Sequence, residues 1–139
     1  MSHQEGAKKR SDRFAFVAFA ITAFLWAAFG VWLGVRPDKL LPAFGVNGST
    51  PAMLTEIRAF YGGVELAIAG SMIWLWRLGR RDASLIVGGL PLAASAGGRL
   101  IGCLVDGFSL THLAFAAFEI VGAVVCGVAL RLQGSRRNG

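Results

Sequence analysis

The sequence predicts an all-α membrane protein, a polytopic bundle of four transmembrane helices. Of its 139 residues, 55% are hydrophobic and only 16% are charged, and the mean hydropathy is +0.58. A soluble domain ordinarily carries about 25% charged residues. Four apolar runs each reach the length of about 20 residues that crosses the hydrocarbon core of a bilayer. These observations argue against a soluble globular enzyme, a disordered chain and a disulfide-rich secreted domain.

The predicted spans lie between a basic N-terminal tail and a basic C-terminal tail. The tails are residues 1–13 and 133–139, and the four-helix domain is residues 14–132, with spans over about residues 14–35, 51–76, 83–105 and 110–132. The first span contains no charged residue and ends before Arg36. It is too long for the apolar region of a cleaved signal peptide, so we expect it to remain as an anchor. The second span begins with Thr50 and Pro51, which are typical of an N-cap and of the first helical position.

The third and fourth spans follow shorter connections. Asp82 can cap the third span, and Pro91 within it removes a backbone hydrogen bond and is expected to bend the helix. The fourth span carries His112 and Glu119. The longest connection, residues 36–49, is expected to contain a short interfacial helix that acts as a surface connector or, alternatively, as a lid.

Lysine and arginine residues outside the spans are distributed unevenly. On the opposite side from the termini only Arg36 and Lys39 are found, whereas the terminal side holds Lys8, Lys9, Arg10, Arg13, Arg77, Arg80, Arg81, Arg131, Arg136 and Arg137. Because basic flanks stay on the cytoplasmic side, both termini are predicted to be cytoplasmic. The same rule accounts for the net charge of +6, so the lipid bilayer is an expected partner and nucleic acid is not.

Charged and polar residues inside the spans or at their edges are the candidate site residues. A charge at the bilayer centre costs ~2.5–3.5 kcal/mol, so such side chains usually pair within the bundle or face water. The candidate cluster for ligand binding is Arg58, Tyr61, Glu65, Arg99, Asp106, His112 and Glu119, with Glu56 as an additional candidate.

The spacing within this cluster is regular. Two helical turns separate the members of three pairs: Arg58 and Glu65, Arg99 and Asp106, and His112 and Glu119. Each pair is therefore expected to share one helix face, in the outer half of the membrane. The convergence predicts a polar pocket for a small molecule or lipid. The alternative is that these charges form ion pairs that only hold the bundle together.

The sequence contains no recognisable metal or cofactor motif. It lacks the Glu-x-x-His repeats of a di-iron bundle, and Cys103 and Cys126 lie in separate apolar runs. We therefore expect no metal and no cofactor. No nucleophile–base set is present, so catalysis is not expected. An acid–base isomerase that acts on a lipid through Glu65 and Glu119 is the weakest alternative.

Small residues four positions apart occur in all four spans. The pairs are Gly30 and Gly34, Ala59 and Gly63, Gly98 and Gly102, and Ala123 and Gly127. Such pairs let helices approach closely, either within one bundle or against a partner. Two further functions therefore stay open: an accessory or assembly subunit of a larger membrane complex or homo-oligomer, and a proton-coupled transporter that uses Glu65 or Glu119.

One string in the second span resembles a known family. Residues 56–63, EIRAFYGG, are similar to the E-x-R-A-x-Y-G-G signature of a bacterial four-helix membrane family catalogued as domain of unknown function 4345, itself broadly similar to DoxX-like membrane proteins. The resemblance covers about residues 14–132 and includes Arg99-x-x-Gly102 and the pair Asp106-Gly107. It implies a four-helix fold in the bacterial inner membrane and supplies no reaction.

Overall fold

The computed structural model describes residues 2–134, and every regular element in that range is helical. Its long helices are α1 (Ser2–Val35), α2 (Pro51–Arg77), α3 (Arg81–Val105) and α4 (Leu110–Gly134). All four are long and apolar enough to cross a membrane, which confirms the predicted all-α class and the number of membrane-compatible helices. The rest of the predicted C-terminal tail, with Arg136 and Arg137, lies outside the described residues.

Helix α1 is longer than its predicted span. At 1.5 Å per residue, its 34 residues extend for about 50 Å, whereas the hydrocarbon core is only about 30 Å thick. The basic segment before Phe14 therefore continues the first helix. Asp12 in this segment forms an ion pair of 3.5 Å with Arg81, which ties α1 to the start of α3.

Helix α2 is a composite of three segments. It starts as the α-helix Pro51–Ile57, widens into the π-helix Arg58–Val64 and returns to α-helix over Glu65–Arg77. The predicted start is confirmed, because the Thr50 side chain accepts a hydrogen bond of 3.2 Å from the backbone of Met53. A π-helix is rare and places its hydrogen bonds five residues apart, so it changes which side chains share a face.

The connector between α1 and α2 contains the expected short helix, a 3₁₀-helix over Pro37–Phe44. Gly45 ends it in the left-handed conformation, with φ of +68°, and donates a hydrogen bond to Pro42. The Arg36 guanidinium hydrogen-bonds Asp38 at 3.3 Å and thereby holds the pKa of that exposed carboxyl below its ordinary value. The connector, residues 36–50, and the turn at residues 106–109 lie at one end of the bundle, which we call the connector end.

Glycines set the distance between α1 and α2. A Cβ atom on Gly62 would lie 3.0 Å from the Cα atom of Gly34, and one on Gly30 would lie 3.0 Å from the Gly62 carbonyl oxygen. Both are closer than ordinary side-chain contacts allow. The Gly30 and Gly34 pair therefore packs within the bundle, against the π-helical part of α2.

The hydrophobic core occupies the other half of the bundle, which we call the terminal end. Its fully buried side chains come from all four helices and include Ala15, Met72, Leu85 and Cys126. The buried Ser84 hydroxyl in this half donates a hydrogen bond of 2.8 Å to the Met72 carbonyl. The terminal end is thus closely packed, and the space available for a ligand lies at the connector end.

Candidate functional site

A half-open cavity of about 520 Å³ lies at the connector end, between the connector, α2, α3 and α4. We call it the connector cavity. It is lined by Phe44, Tyr61, Ser95, Gly98, Arg99, Gly102, Cys103, Asp106, Gly107, Ser109 and His112. Four residues of the predicted cluster, Tyr61, Arg99, Asp106 and His112, therefore meet at one cavity.

One face of α3 forms most of the cavity wall. Ser95, Arg99, Gly102 and Asp106 follow one another at intervals of four, three and four residues, which places them on one side of an α-helix. A Cβ atom on Gly98 would meet nothing within 4 Å. The Gly98 and Gly102 pair therefore leaves space at the cavity, in contrast to the helix packing of Gly30 and Gly34.

The arginine of this wall, Arg99, forms an ion pair with Glu119 of α4, which is not itself a lining residue. The Arg99 Nε donates to both carboxylate oxygens of Glu119, at 3.0 and 3.1 Å. The hydroxyl of Ser95 donates a further hydrogen bond of 2.8 Å to Oε1. The side chains of Arg99 and Glu119 are only 21% and 12% exposed. At this depth the pair is screened less than a surface ion pair would be.

This pair leaves part of the arginine unused. The Arg99 guanidinium carbon lies 5.0 Å from the centre of the Phe115 ring, which fixes the plane of the group together with Glu119. Among the hydrogen bonds of residues 2–134, Arg99 donates only through Nε. Its terminal Nη1 and Nη2 groups are therefore available to a ligand.

Three rings close the side of the cavity nearest the connector. The Phe44 ring centre lies 6.4 Å from those of His112 and Tyr61, and it stacks on His112 with an angle of 18° between the planes. The His112 Nδ1 lies 2.9 Å from the hydroxyl of Ser109, which also caps α4 by accepting the His112 backbone N–H. Phe44 thereby joins the connector to α2 and α4.

Asp106 marks the mouth of the cavity, where α3 ends. Its side chain is exposed, and no ion pair or side-chain hydrogen bond engages it within the described range. Gly107 follows with a φ of +117°, a conformation that favours glycine and turns the chain toward α4. Cys103, one turn before Asp106, is half-buried and also lines the cavity.

The structure does not bring Glu56, Arg58 or Glu65 into the cavity lining. Glu56 and Arg58 are exposed, whereas Glu65 is half-buried. The π-helix lies between Arg58 and Glu65, and over its wider turns seven residues no longer make two turns, so these two residues do not share one face. The Glu65 Oε2 atom is buried and has no hydrogen-bond partner in the part of the chain that is described.

Several residues that line the connector cavity are not among the residues predicted from the sequence. Ser95 could have been found, because it precedes Arg99 by one helical turn. Phe44 and Ser109 lie outside the spans, where helical periodicity gives no information. Within residues 2–134, no three His, Cys, Asp or Glu side chains lie close enough together to hold a metal ion.

A second groove, of about 590 Å³, runs along the outer surface of α1. It is lined by Phe24, Ala27, Ala28, Val31, Trp32, Val35 and Arg36. All but the last are apolar, as expected of a helix face in contact with lipid tails. The groove contains no member of the predicted cluster.

Comparison with known proteins identified one family. The family model described as "Domain of unknown function (DUF4345)" matches residues 14–130, which includes all of the lining residues of the connector cavity. No curated protein and no solved structure matched the chain.

Proposed function

Because the chain belongs to the DUF4345 family, whose description states no activity, we propose a function from its geometry: this is a membrane-embedded binding protein that takes a small amphiphilic molecule into the connector cavity. Such a ligand has a polar group for Arg99 and an apolar part that reaches the surrounding lipid through the half-open side of the cavity. The proposal includes the bacterial inner membrane as its location and a relation to DoxX-like membrane proteins.

One observation carries this proposal: the cavity stays open beside a charged pair inside a membrane-compatible bundle. If the Arg99–Glu119 pair served only to hold α3 and α4 together, small neighbours such as Gly98 would be expected to pack against the opposite helix. Instead, Gly98 is exposed and lines the half-open cavity. A concave site between helices that is lined by a few polar groups is typical of ligand binding.

The predicted orientation adds access from the outer leaflet. If the termini are cytoplasmic, the connector end lies at the outer surface, and Asp106 lies at the level of the lipid head groups. Both lipid and water-soluble amphiphiles could then reach the mouth. The bilayer itself is thus the proposed source or competitor of the ligand.

Proton-coupled transport is the second candidate, and Glu65 is the observation that favours it. The unpartnered Oε2 of Glu65 lies within a membrane span, where an ionised carboxylate is costly and a protonated one is much less so. Glu65 directly follows the π-helix that carries Tyr61 to the cavity. The role of accessory subunit has no comparable observation in its favour.

A matched pair of leucine substitutions tests the binding function. Gly98→Leu places a side chain in the cavity, whereas Gly70→Leu places one on α2 at a site away from the cavity, where a Cβ atom also meets nothing within 4 Å. We expect native mass spectrometry to detect a one-to-one adduct with lysophosphatidylethanolamine for the unmodified protein and for Gly70→Leu. The adduct should be lost, by about tenfold or more in affinity, for Gly98→Leu. Equal adducts for both variants would contradict the proposal.

A further inference from the structure

We propose that the connector cavity selects a zwitterionic polar group, with the anionic part bound by the terminal amino groups of Arg99 and the cationic part by Asp106 at the mouth. This inference rests on the proposed binding function and names the chemical class of its ligand.

Arg99 provides the binding site for the anionic part of the ligand. The guanidinium is already oriented by Glu119 through Nε and by the ring of Phe115, so little side-chain freedom remains to be lost on binding. Its two terminal amino groups are forked donors, and a phosphate or carboxylate accepts from such a fork through charge-assisted hydrogen bonds.

The charge balance of the site disfavours a ligand that is a simple anion. Glu119 already neutralises Arg99, and Asp106 contributes a further negative charge. A ligand that carries only negative charge would therefore enter a site where Arg99, Glu119 and Asp106 already leave one net negative charge. The repulsion from Glu119, whose side chain is only 12% exposed, is screened poorly. A ligand that brings its own positive charge avoids the penalty.

Asp106 provides the binding site for the positive charge of the ligand. Asp106 lies two helical turns after Arg99 on the same face of α3, about 10 Å farther along the helix axis. Its carboxylate has no ion-pair partner among residues 2–134, and the rings of Phe44 and Tyr61 line the same cavity. Aromatic faces and a carboxylate together attract an organic ammonium group.

In the resulting site the Arg99 guanidinium lies deep in the cavity and the Asp106 carboxylate lies at the mouth. A phosphate–ammonium or carboxylate–ammonium molecule can satisfy both, with the anion inward. This chemistry is shared by the head group of a zwitterionic phospholipid and by a free zwitterion. The two sources differ in whether an acyl chain is needed, and the experiment separates them.

The native cysteines provide the measurement. Cys103 lines the cavity and is half-buried, whereas Cys126 is fully buried in the core beside Thr22. The rate of N-ethylmaleimide modification of Cys103 in detergent-purified protein therefore reports occupancy. The probes are lysophosphatidylcholine (zwitterionic), lysophosphatidic acid (anionic), dodecyltrimethylammonium (cationic) and glycerophosphocholine, a zwitterion without an acyl chain.

We expect lysophosphatidylcholine to protect Cys103 at a concentration about tenfold lower than either singly charged amphiphile. Asp106→Asn, at an exposed position, should remove the preference over lysophosphatidic acid. The double variant Arg99→Gln/Glu119→Gln neutralises both members of the ion pair together. It should remove the preference for lysophosphatidylcholine over dodecyltrimethylammonium. Protection by glycerophosphocholine would identify the ligand as a free zwitterion. Protection by lysophosphatidylcholine alone would identify it as a lipid.

The outcomes that would overturn the inference differ from those that would overturn the binding function. Equal protection by all three charged amphiphiles, or an unchanged preference in Asp106→Asn, would refute the zwitterion and leave binding intact. If no probe protects Cys103 of the unmodified protein, both proposals fail.

Discussion

At the scale of single residues, the Arg99–Glu119 pair shows how an intramembrane charge becomes tolerable. Both carboxylate oxygens of Glu119 accept a hydrogen bond from the Arg99 Nε, and Oε1 accepts a second one from the Ser95 hydroxyl. Removing one partner leaves the other as an uncompensated charge in a part-buried site, which costs more than the pair itself contributes. The pair is therefore expected to behave as a unit in mutagenesis.

Single and double neutralisation test this coupling. Arg99→Gln or Glu119→Gln alone should lower the free energy of unfolding by about 2–3 kcal/mol, whereas the double variant should recover most of the loss. Ser95→Ala, which removes one hydrogen bond and no charge, should cost about 1 kcal/mol. The measurement is thermal unfolding in detergent at a fixed scan rate. Additive losses in the double variant would show that the two side chains are not coupled.

At the scale of elements, α3 could be predicted from sequence and α2 only in part. On α3 a regular α-helix places Arg99 and Asp106 on one face, as the two-turn spacing predicts. On α2 the same spacing argument does not hold for Arg58 and Glu65, because the π-helix intervenes. Local sequence gives no rule for a π-helix. It is found here where Gly62 approaches α1, a contact that depends on tertiary structure.

The position of the connector is a second feature beyond sequence periodicity. A short helix could be expected between Arg36 and Ser49, but its contact with α4 through Phe44 and His112 depends on side-chain stacking across 68 positions of the chain. The candidate cluster was thus predictable where regular helices carry it. It was unpredictable where the backbone leaves α-helical geometry.

Gly62 provides the test at this scale. In Gly62→Ala the new methyl group would lie 3.0 Å from the Cα and 3.2 Å from the backbone nitrogen of Gly34, and a backbone cannot move aside as a flexible side chain can. We expect a loss of about 2 kcal/mol in the free energy of unfolding.

Gly70→Ala is the matched control on the same helix, because its methyl group would meet nothing within 4 Å. Alanine is the better helix former, so this variant should be neutral or more stable by up to about 1 kcal/mol. Both values come from the same thermal unfolding assay. If Gly62→Ala is as stable as Gly70→Ala, the close approach of α1 and α2 does not depend on glycine.

At the scale of the whole molecule, the bundle has two unlike ends. The terminal end holds the core and most of the flanking basic residues, and the connector end holds the cavity. The charge asymmetry predicts that the connector end faces away from the cytoplasm. This orientation determines from which side a ligand would enter.

Cysteine labelling of intact cells tests the orientation. In a Cys103→Ser background, Asn47→Cys lies in the connector and Arg80→Cys in the turn between α2 and α3, both at exposed positions. We expect a membrane-impermeant maleimide to label Asn47→Cys directly and Arg80→Cys only after permeabilisation. Cys126, at 1% exposure, should stay unlabelled in both. The reverse pattern would place the termini outside.

The concentration of the core at one end has a consequence for motion. Local opening of a protein takes place where few buried side chains hold the elements together. Here that is the wall of the connector cavity, where Ser95, Arg99 and Glu119 contact one another through polar groups and Gly98 leaves free volume. Hydrogen exchange should therefore be faster at the connector end than in the helix segments around Met72 and Leu85. Entry of a ligand would then need no separate gate, because local opening of this wall would widen the mouth.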